Sequence, residues 1–285
     1  MYRIAHLSDL HFGAERPEVV AALVAELRRA PPDLVAISGD LTMRARHEEF
    51  LAARRFLDGL RSPVLAVPGN HDLVNYWRPQ RYLHPYARWR RYVAPEVEPV
   101  FRDGRVGVVG LNTARRAGLY LDWSRGRVSR ERLARCEARL AALPPGLVRI
   151  VVAHHPFLPP QADPMARAVG GAARALAAFA REGVRLVLSG HLHVADIAQP
   201  AREAGVRAHG TAAASTRAEG PLTVVLSATT TSRRLRGEPN AFNEIRIARD
   251  GGVEVFARAW DGEGWAAVAP QATDAAPSVA VVPAP

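Results

Sequence analysis

The chain has 285 residues, 48% of them hydrophobic and 23% charged, so it can bury a substantial core and is not a disordered tail protein. Its 38 basic residues are all arginine and outnumber 28 acidic ones, leaving a formal charge of +10. A single cysteine, Cys136, excludes an internal disulfide, and no apolar run reaches the roughly 18–20 residues of a membrane-spanning helix.

In chain order, Tyr2–Ser8 reads as a short buried strand with no secretory pattern around it, so the expected address is cytoplasmic, with peripheral membrane contact left open. Pro17 suits a first helical turn, and Val19, Val20, Leu23, Val24 and Leu27 share one face until Pro31-Pro32 stops the helix. Asp33–Ser38 and Val64–Val67 are further strands, with a helical stripe of Phe50, Ala53, Leu57 and Leu60 between them. Val106–Leu111 and Val148–Ala153 are strands on either side of a helix that Ser129 can cap, with Leu133, Cys136, Leu140 and Leu143 inward. An Ala-rich helix is expected from Met165 to Phe179, before the strand Val184–Ser189.

After Ser189 the pattern turns β-rich. Val194–Ala198, Val206–His209, Thr223–Ala228, Asn243–Ala248 and Val253–Trp260 read as strands. A β-α alternation followed by a β-rich half predicts an α/β fold of two packed sheets flanked by helices, as one domain over residues 1–265. From Ala266 to Pro285 the chain is Ala- and Pro-rich and reads as a loosely held tail. The Tyr76–Tyr92 segment interleaves five arginines with six aromatic residues. It reads either as an ordinary helix with its rings inward or as a cap over a site for an acidic substrate.

Six of the ten histidines sit in short motifs, each just after an apolar strand. These are Asp9-x-His11, Gly39-Asp40, Gly69-Asn70-His71-Asp72, His154-His155-Pro156 and Gly190-His191-x-His193. Taken singly, such an Asp is often a helix cap and such a His a satisfied core residue. Taken together, five loops deliver carboxylates, imidazoles and an amide to the edge where strand C-termini converge. Clustered at the mouth of an apolar sheet, these groups stay unsatisfied unless cations unite them, and the mixture suits Mn, Fe or Zn.

This ordered set resembles that of the calcineurin-like metallophosphoesterase superfamily, from Asp9 to His193. The resemblance implies a four-layer α/β/β/α sandwich and two divalent metal ions. By the same resemblance, Asp9, His11, Asp40 and His193 would hold one ion, and Asp40, Asn70, His154 and His191 the other, with Asp40 bridging. His71 would face the substrate phosphate without binding metal, and Asp72 is expected to orient His71 through its other ring nitrogen. His155 is expected either behind the ligands or against substrate. Gly39, Gly69 and Gly190 would let these loops approach closely.

The implied activity is phosphodiester hydrolysis by in-line attack of a metal-bridging hydroxide. The Gly39-Asp40-Leu41-Thr42, Gly-Asn-His-Asp and His154-His155-Pro156 boxes are similar to those of class III cyclic-nucleotide phosphodiesterases. That makes a cyclic nucleotide or similar small diester the expected substrate. The alternative is a lipid-linked nucleotide such as UDP-2,3-diacylglucosamine, favoured by the Arg/aromatic segment and disfavoured by His71, where the common form carries Arg. A nuclease or a non-catalytic scaffold is less well supported, since no added nucleic-acid-binding domain is visible and every ligand position is filled. The family often forms homo-oligomers, but no interface is readable. The Ser232–Asn243 segment carries Arg and Asn side chains with no assigned role.

Overall fold

The computed structural model describes residues 1–74, 79–116, 124–200 and 220–267, and the backbone of Gln271 and Ala272. Its elements in chain order are β1 (Tyr2–Leu7), α1 (Pro17–Arg29), β2 (Leu34–Ile37), α2 (His47–Asp58), β3 (Val64–Ala66), α3 (Gln80–Leu83) and α4 (Ala87–Tyr92). There follow β4 (Val100–Arg102), β5 (Val106–Leu111), α5 (Arg130–Ala141), β6 (Val148–Ala153), α6 (Ala172–Arg181) and β7 (Val184–Ser189). The chain continues with β8 (Asp196–Ala198), β9 (Thr223–Leu226), β10 (Ala241–Ile247), β11 (Val253–Trp260), β12 (Trp265–Ala267) and β13 (Gln271–Ala272).

One sheet runs β12-β11-β10-β1-β2-β3, with β13 also on β11, and the other runs β4-β5-β6-β7-β9-β8. The central strands are buried on both faces, which is why they read as near-continuous apolar runs. Alternate residues point to opposite sides. Ile4, Leu34, Val108, Ile150, Leu186 and Ile245 meet between the sheets. Leu7, Val35 and Ile37 face outward onto Val19 and Leu23 of α1 and Phe50 of α2. Val109 and Val151 face Leu133 and Leu140 of α5 and Phe179 of α6. The layers are therefore helix, sheet, sheet, helix. No described helix is long and apolar enough to cross a membrane.

Two expectations change, and the expected strand Val206–His209 lies outside the described residues. The Ala-rich helix begins at Ala172, not Met165, because Gly171 takes a left-handed φ of 87° and Gly170 pairs with Arg127. The boundary at residue 266 falls inside β12, whose Ala266 pairs with Ala259. Within the Tyr76–Tyr92 segment, residues 76–78 lie outside the described residues. In the remainder Tyr86 and Trp89 are buried in the core beside α2, and Tyr92 stacks on Phe50. The buried Arg81 guanidinium meets the carbonyls of Val74 and Arg115 at 2.7 and 3.0 Å. In the described part Tyr86 and Trp89 thus face inward, as the ordinary-helix reading has it, while Tyr82 and Leu83 are exposed.

Candidate metal centre

Parallel pairing of β1 with β2, β2 with β3, and β5 through β7 aligns their C-terminal ends along one edge. The chain leaves that edge in sharp turns. Asp9, His11, Asp40, His191 and His193 all have positive φ, between 49° and 77°, which non-glycine residues seldom adopt. Each costs on the order of 1–3 kcal/mol and persists only where its surroundings fix it. Here Asp9 N donates to Gly39 O at 3.1 Å and His11 N to Asp40 O at 3.0 Å. A Cβ on Gly69 would collide with the Asp40 carboxylate, so these two loops meet only because residue 69 is glycine.

Two groups of side chains result. Asp9 Oδ1 lies 3.2 Å from His193 Nε2 and 3.6 Å from His11 Nε2. His154 Nε2 lies 3.1 Å from Asn70 Oδ1, 3.2 Å from His191 Nδ1 and 3.2 Å from Asp40 Oδ2. The same Asp40 oxygen is 3.8 Å from His11 Nε2, so it stands between the groups. The structure thereby brings together all seven residues expected to bind metal. His154 Nδ1 faces Ser38 O at 2.8 Å and His193 Nδ1 faces Arg234 O at 2.7 Å. A proton on each Nδ1 leaves the Nε2 lone pair turned to the centre, the tautomer a metal ligand needs.

The charges agree with that chemistry. Burial should raise the pKa of Asp9, yet His193 and His11 hold it well below the ordinary range. Burial should lower that of His154, yet the Asp40 carboxylate pushes it up to about 9. His191, buried and beside His154, is pushed down to about 4. Asp9 Oδ1 and Asn70 Nδ2 are buried without a hydrogen-bond partner, a costly state for polar atoms. A divalent cation in each group would satisfy Asp9 Oδ1 and the converging imidazole nitrogens, so the donor set fits the ions.

His71 sits at the rim, its Nδ1 2.7 Å from Met43 O. This corrects the expected partnership with Asp72. The Asp72 carboxylate is instead buried among Leu41 N, Thr42 N, Thr42 Oγ1 and Gly69 N, at 2.9–3.2 Å. It ties together the loops that carry Asp40 and Asn70. His155 can form a group with His154 and His191, but its ring nitrogens already meet Thr113 Oγ1 at 2.7 Å and Ser124 O at 2.8 Å. It therefore stands behind the ligands.

Sequence reasoning missed the Thr229-Thr230-Thr231 run after β9. Thr229 Oγ1 donates to Asp9 O and Thr231 Oγ1 to Leu10 O, both at 2.7 Å, and Thr230 Oγ1 accepts from Ser8 N at 3.0 Å. These hydroxyls hold the strained Asp9–His11 turn. Three consecutive threonines after a buried strand were the available signal.

Residues 2–195 match the family described as calcineurin-like phosphoesterase. The chain belongs to that family. This calcineurin-like phosphoesterase spans less than half the length of the first curated relatives it matches. It is 37% identical over 91 residues to a glycerophosphodiester phosphodiesterase of Enterobacter lignolyticus, a match covering 27% of this chain and 33% of that protein. It is 26% identical to a probable cyclic nucleotide phosphodiesterase of Synechococcus, over 68% of this chain and 74% of that protein. A dimetal phosphatase structure from Danio rerio superposes with a TM-score of 0.62 at 13% identity, over 96% of this chain and 98% of that one, and shares the fold.

Proposed function

We propose that this phosphoesterase hydrolyses small phosphodiesters at a two-metal centre. The observation that carries the proposal is the position of Asp40 Oδ2, 3.2 Å from His154 and 3.8 Å from His11, where one carboxylate oxygen can serve both groups. Asp9, His11, Asp40 and His193 would hold one divalent ion of the Mn, Fe or Zn type and Asp40, Asn70, His154 and His191 the other, and the pair would supply Lewis acidity and a water ionised near neutral pH.

The chain's own residues do the rest. Asp40 damps repulsion between like charges. The carbonyls of Ser38 and Arg234 fix the imidazole rings, so the phosphoryl group meets ligands that need no reorganisation. Met43 O fixes the His71 ring through Nδ1, and as an imidazolium the ring can give the leaving oxygen a hydrogen bond or a proton from Nε2. Burial pushes the His71 pKa down and the Asp40 carboxylate opposes this.

A diester is favoured because the glycerophosphodiester and cyclic nucleotide relatives are both named as diesterases. The lipid-linked alternative draws less support from this segment, because Tyr86 and Trp89 face the core and, of its described rings, Tyr82 is the exposed one. The test is a panel of bis-p-nitrophenyl phosphate, cyclic AMP, glycerophosphodiesters and a monoester with Mn present, on wild type and His71→Ala. Wild type should prefer a diester. His71→Ala should keep roughly two ions and lose about 10²–10⁴-fold in kcat. Preference for the monoester overturns the proposal.

A further inference from the structure

The loop after the threonine run reaches both sides of the site. Ser232 is buried, and its carbonyl accepts from Asn240 Nδ2 at 2.9 Å. Arg233 is tied to the β1–α1 connection, with its backbone N 2.9 Å from Ala14 O and its Nε 2.9 Å from Glu15 O. Between these anchors, Arg234 N donates to Ser232 Oγ at 3.1 Å and Arg234 O receives His193 Nδ1 at 2.7 Å. The main chain of Arg234 is therefore part of the scaffold behind one ligand.

Its side chain crosses to the opposite rim. Nη1 stands 3.4 Å from His71 Nε2 and 3.8 Å from Met43 Sδ. Because His71 Nδ1 faces Met43 O, Nε2 is the ring atom turned to substrate, and it is the atom Arg234 approaches. Among the described residues the guanidinium has no carboxylate partner, although it lies at the edge of a site containing Asp9 and Asp40. A permanent cation with unused donors, held by an anchored loop, is matched to a phosphoryl oxyanion.

We propose that Arg234 is a substrate-binding residue that, together with His71, receives the outward-facing oxygen of a phosphoryl group held at the His/Asp centre, and thereby adapts the site to alkoxide leaving groups. This assignment rests on the phosphodiesterase reading. In a diester the outward oxygen is the ester oxygen. As a water oxygen bonds to phosphorus, the P–O ester bond breaks and its electron pair stays on that oxygen. Arg234 faces the developing charge, imidazolium His71 gives that oxygen its Nε2 proton to complete the alcohol, and the proton released by the attacking water restores the imidazolium by way of solvent. A nitrophenolate carries its charge without such help, whereas a ribose or glycerol alkoxide does not.

The test compares wild type, Arg234→Ala and Arg234→Lys, each loaded with Mn. Calorimetry with inorganic phosphate should show affinity weakened at least about tenfold in Arg234→Ala and partly restored in Arg234→Lys. With cyclic AMP, Arg234→Ala should lose at least about tenfold more kcat than with bis-p-nitrophenyl phosphate, and millimolar methylguanidine should recover part of it. Metal content should not change, because His193 is held by the main-chain carbonyl of residue 234. Unchanged phosphate affinity overturns the assignment, as does an equal loss on both diesters. Weakened phosphate binding in a protein whose wild type cleaves neither diester leaves the binding role of Arg234 standing and overturns the diesterase reading instead.

Discussion

The backbone N–H of His71 donates to Asp40 Oδ1 at 2.8 Å. The residue proposed to address the leaving group is thereby registered against the carboxylate that stands between the two ligand groups. The other Asp40 oxygen is left for the centre, and its carboxyl is held far below the ordinary range against the cost of burial by His154 and His71. The loops after β2 and β3 therefore behave as one unit, and a change at Asp40 is felt at both groups.

Asp40→Asn keeps an oxygen for the His71 amide but removes the charge shared by the two groups. Metal content should fall from roughly two ions to one or fewer per chain, and diesterase kcat should fall by more than about 10²-fold. Elemental analysis of the purified protein with a colorimetric assay decides this. Two retained ions with full turnover would contradict it.

Asp72 acts through loops rather than through an imidazole. Burial, with Asp40 nearby, pushes its carboxyl up to about 7, while four donors surround it. Asp72→Asn sets an amide N–H against some of those donors and should cost about 2–4 kcal/mol of stability. The loss should persist when His71 is also replaced by alanine. Thermal unfolding of the two single variants and the double variant measures it, and a loss that disappears in the double variant would restore the histidine-orienting role.

His6 is a buried histidine outside the ligand set, between Ser38 Oγ at 2.9 Å and Asn243 Nδ2 at 3.3 Å. Burial pushes its pKa down to about 3. Above pH 6.5 it is neutral folded and unfolded, so it adds no pH dependence. Below that, the unfolded chain takes a proton the folded one refuses, and stability falls as pH falls toward 3. Between pH 6.5 and 5 this amounts to about 2 kcal/mol. Urea midpoints of His6→Gln across that window should fall less steeply than those of wild type, and parallel curves would exclude the effect.

Burial pushes the Cys136 thiol, on the inner face of α5, up to about 12. At pH 8 it is a neutral thiol and should not react with Ellman's reagent in the folded protein, while reacting fully in urea. Rapid labelling of the native state would show that α5 does not pack as described.

The layers were legible because the central strands are buried on both faces. Tyr2–Leu7, Val106–Leu111 and Val148–Ala153 read as apolar runs for the same reason that they fold inside. The ligand loops were legible because imidazoles and carboxylates directly after such runs have few uses. Less visible were features decided by tertiary partners. Periodicity continued through Met165–Ala168, but the Gly170-Gly171 turn started the helix later. An Asp beside a His suggested a pair, but backbone N–H groups of two loops claimed Asp72. The Arg and aromatic content of Tyr76–Tyr92 did not reveal that Trp89 has no exposure.

The left-handed backbone at Asp9, His11, Asp40, His191 and His193 sets fitness against robustness. Glycine at any of these positions would relax the chain while deleting a donor atom. A library ranked on heat resistance alone would therefore drift toward glycine there, enriching sturdy proteins that no longer turn over substrate. Selection for catalysis has to work against that drift at five places at once, so improvement of this scaffold is best sought in α1, α5 and α6, away from the strand ends.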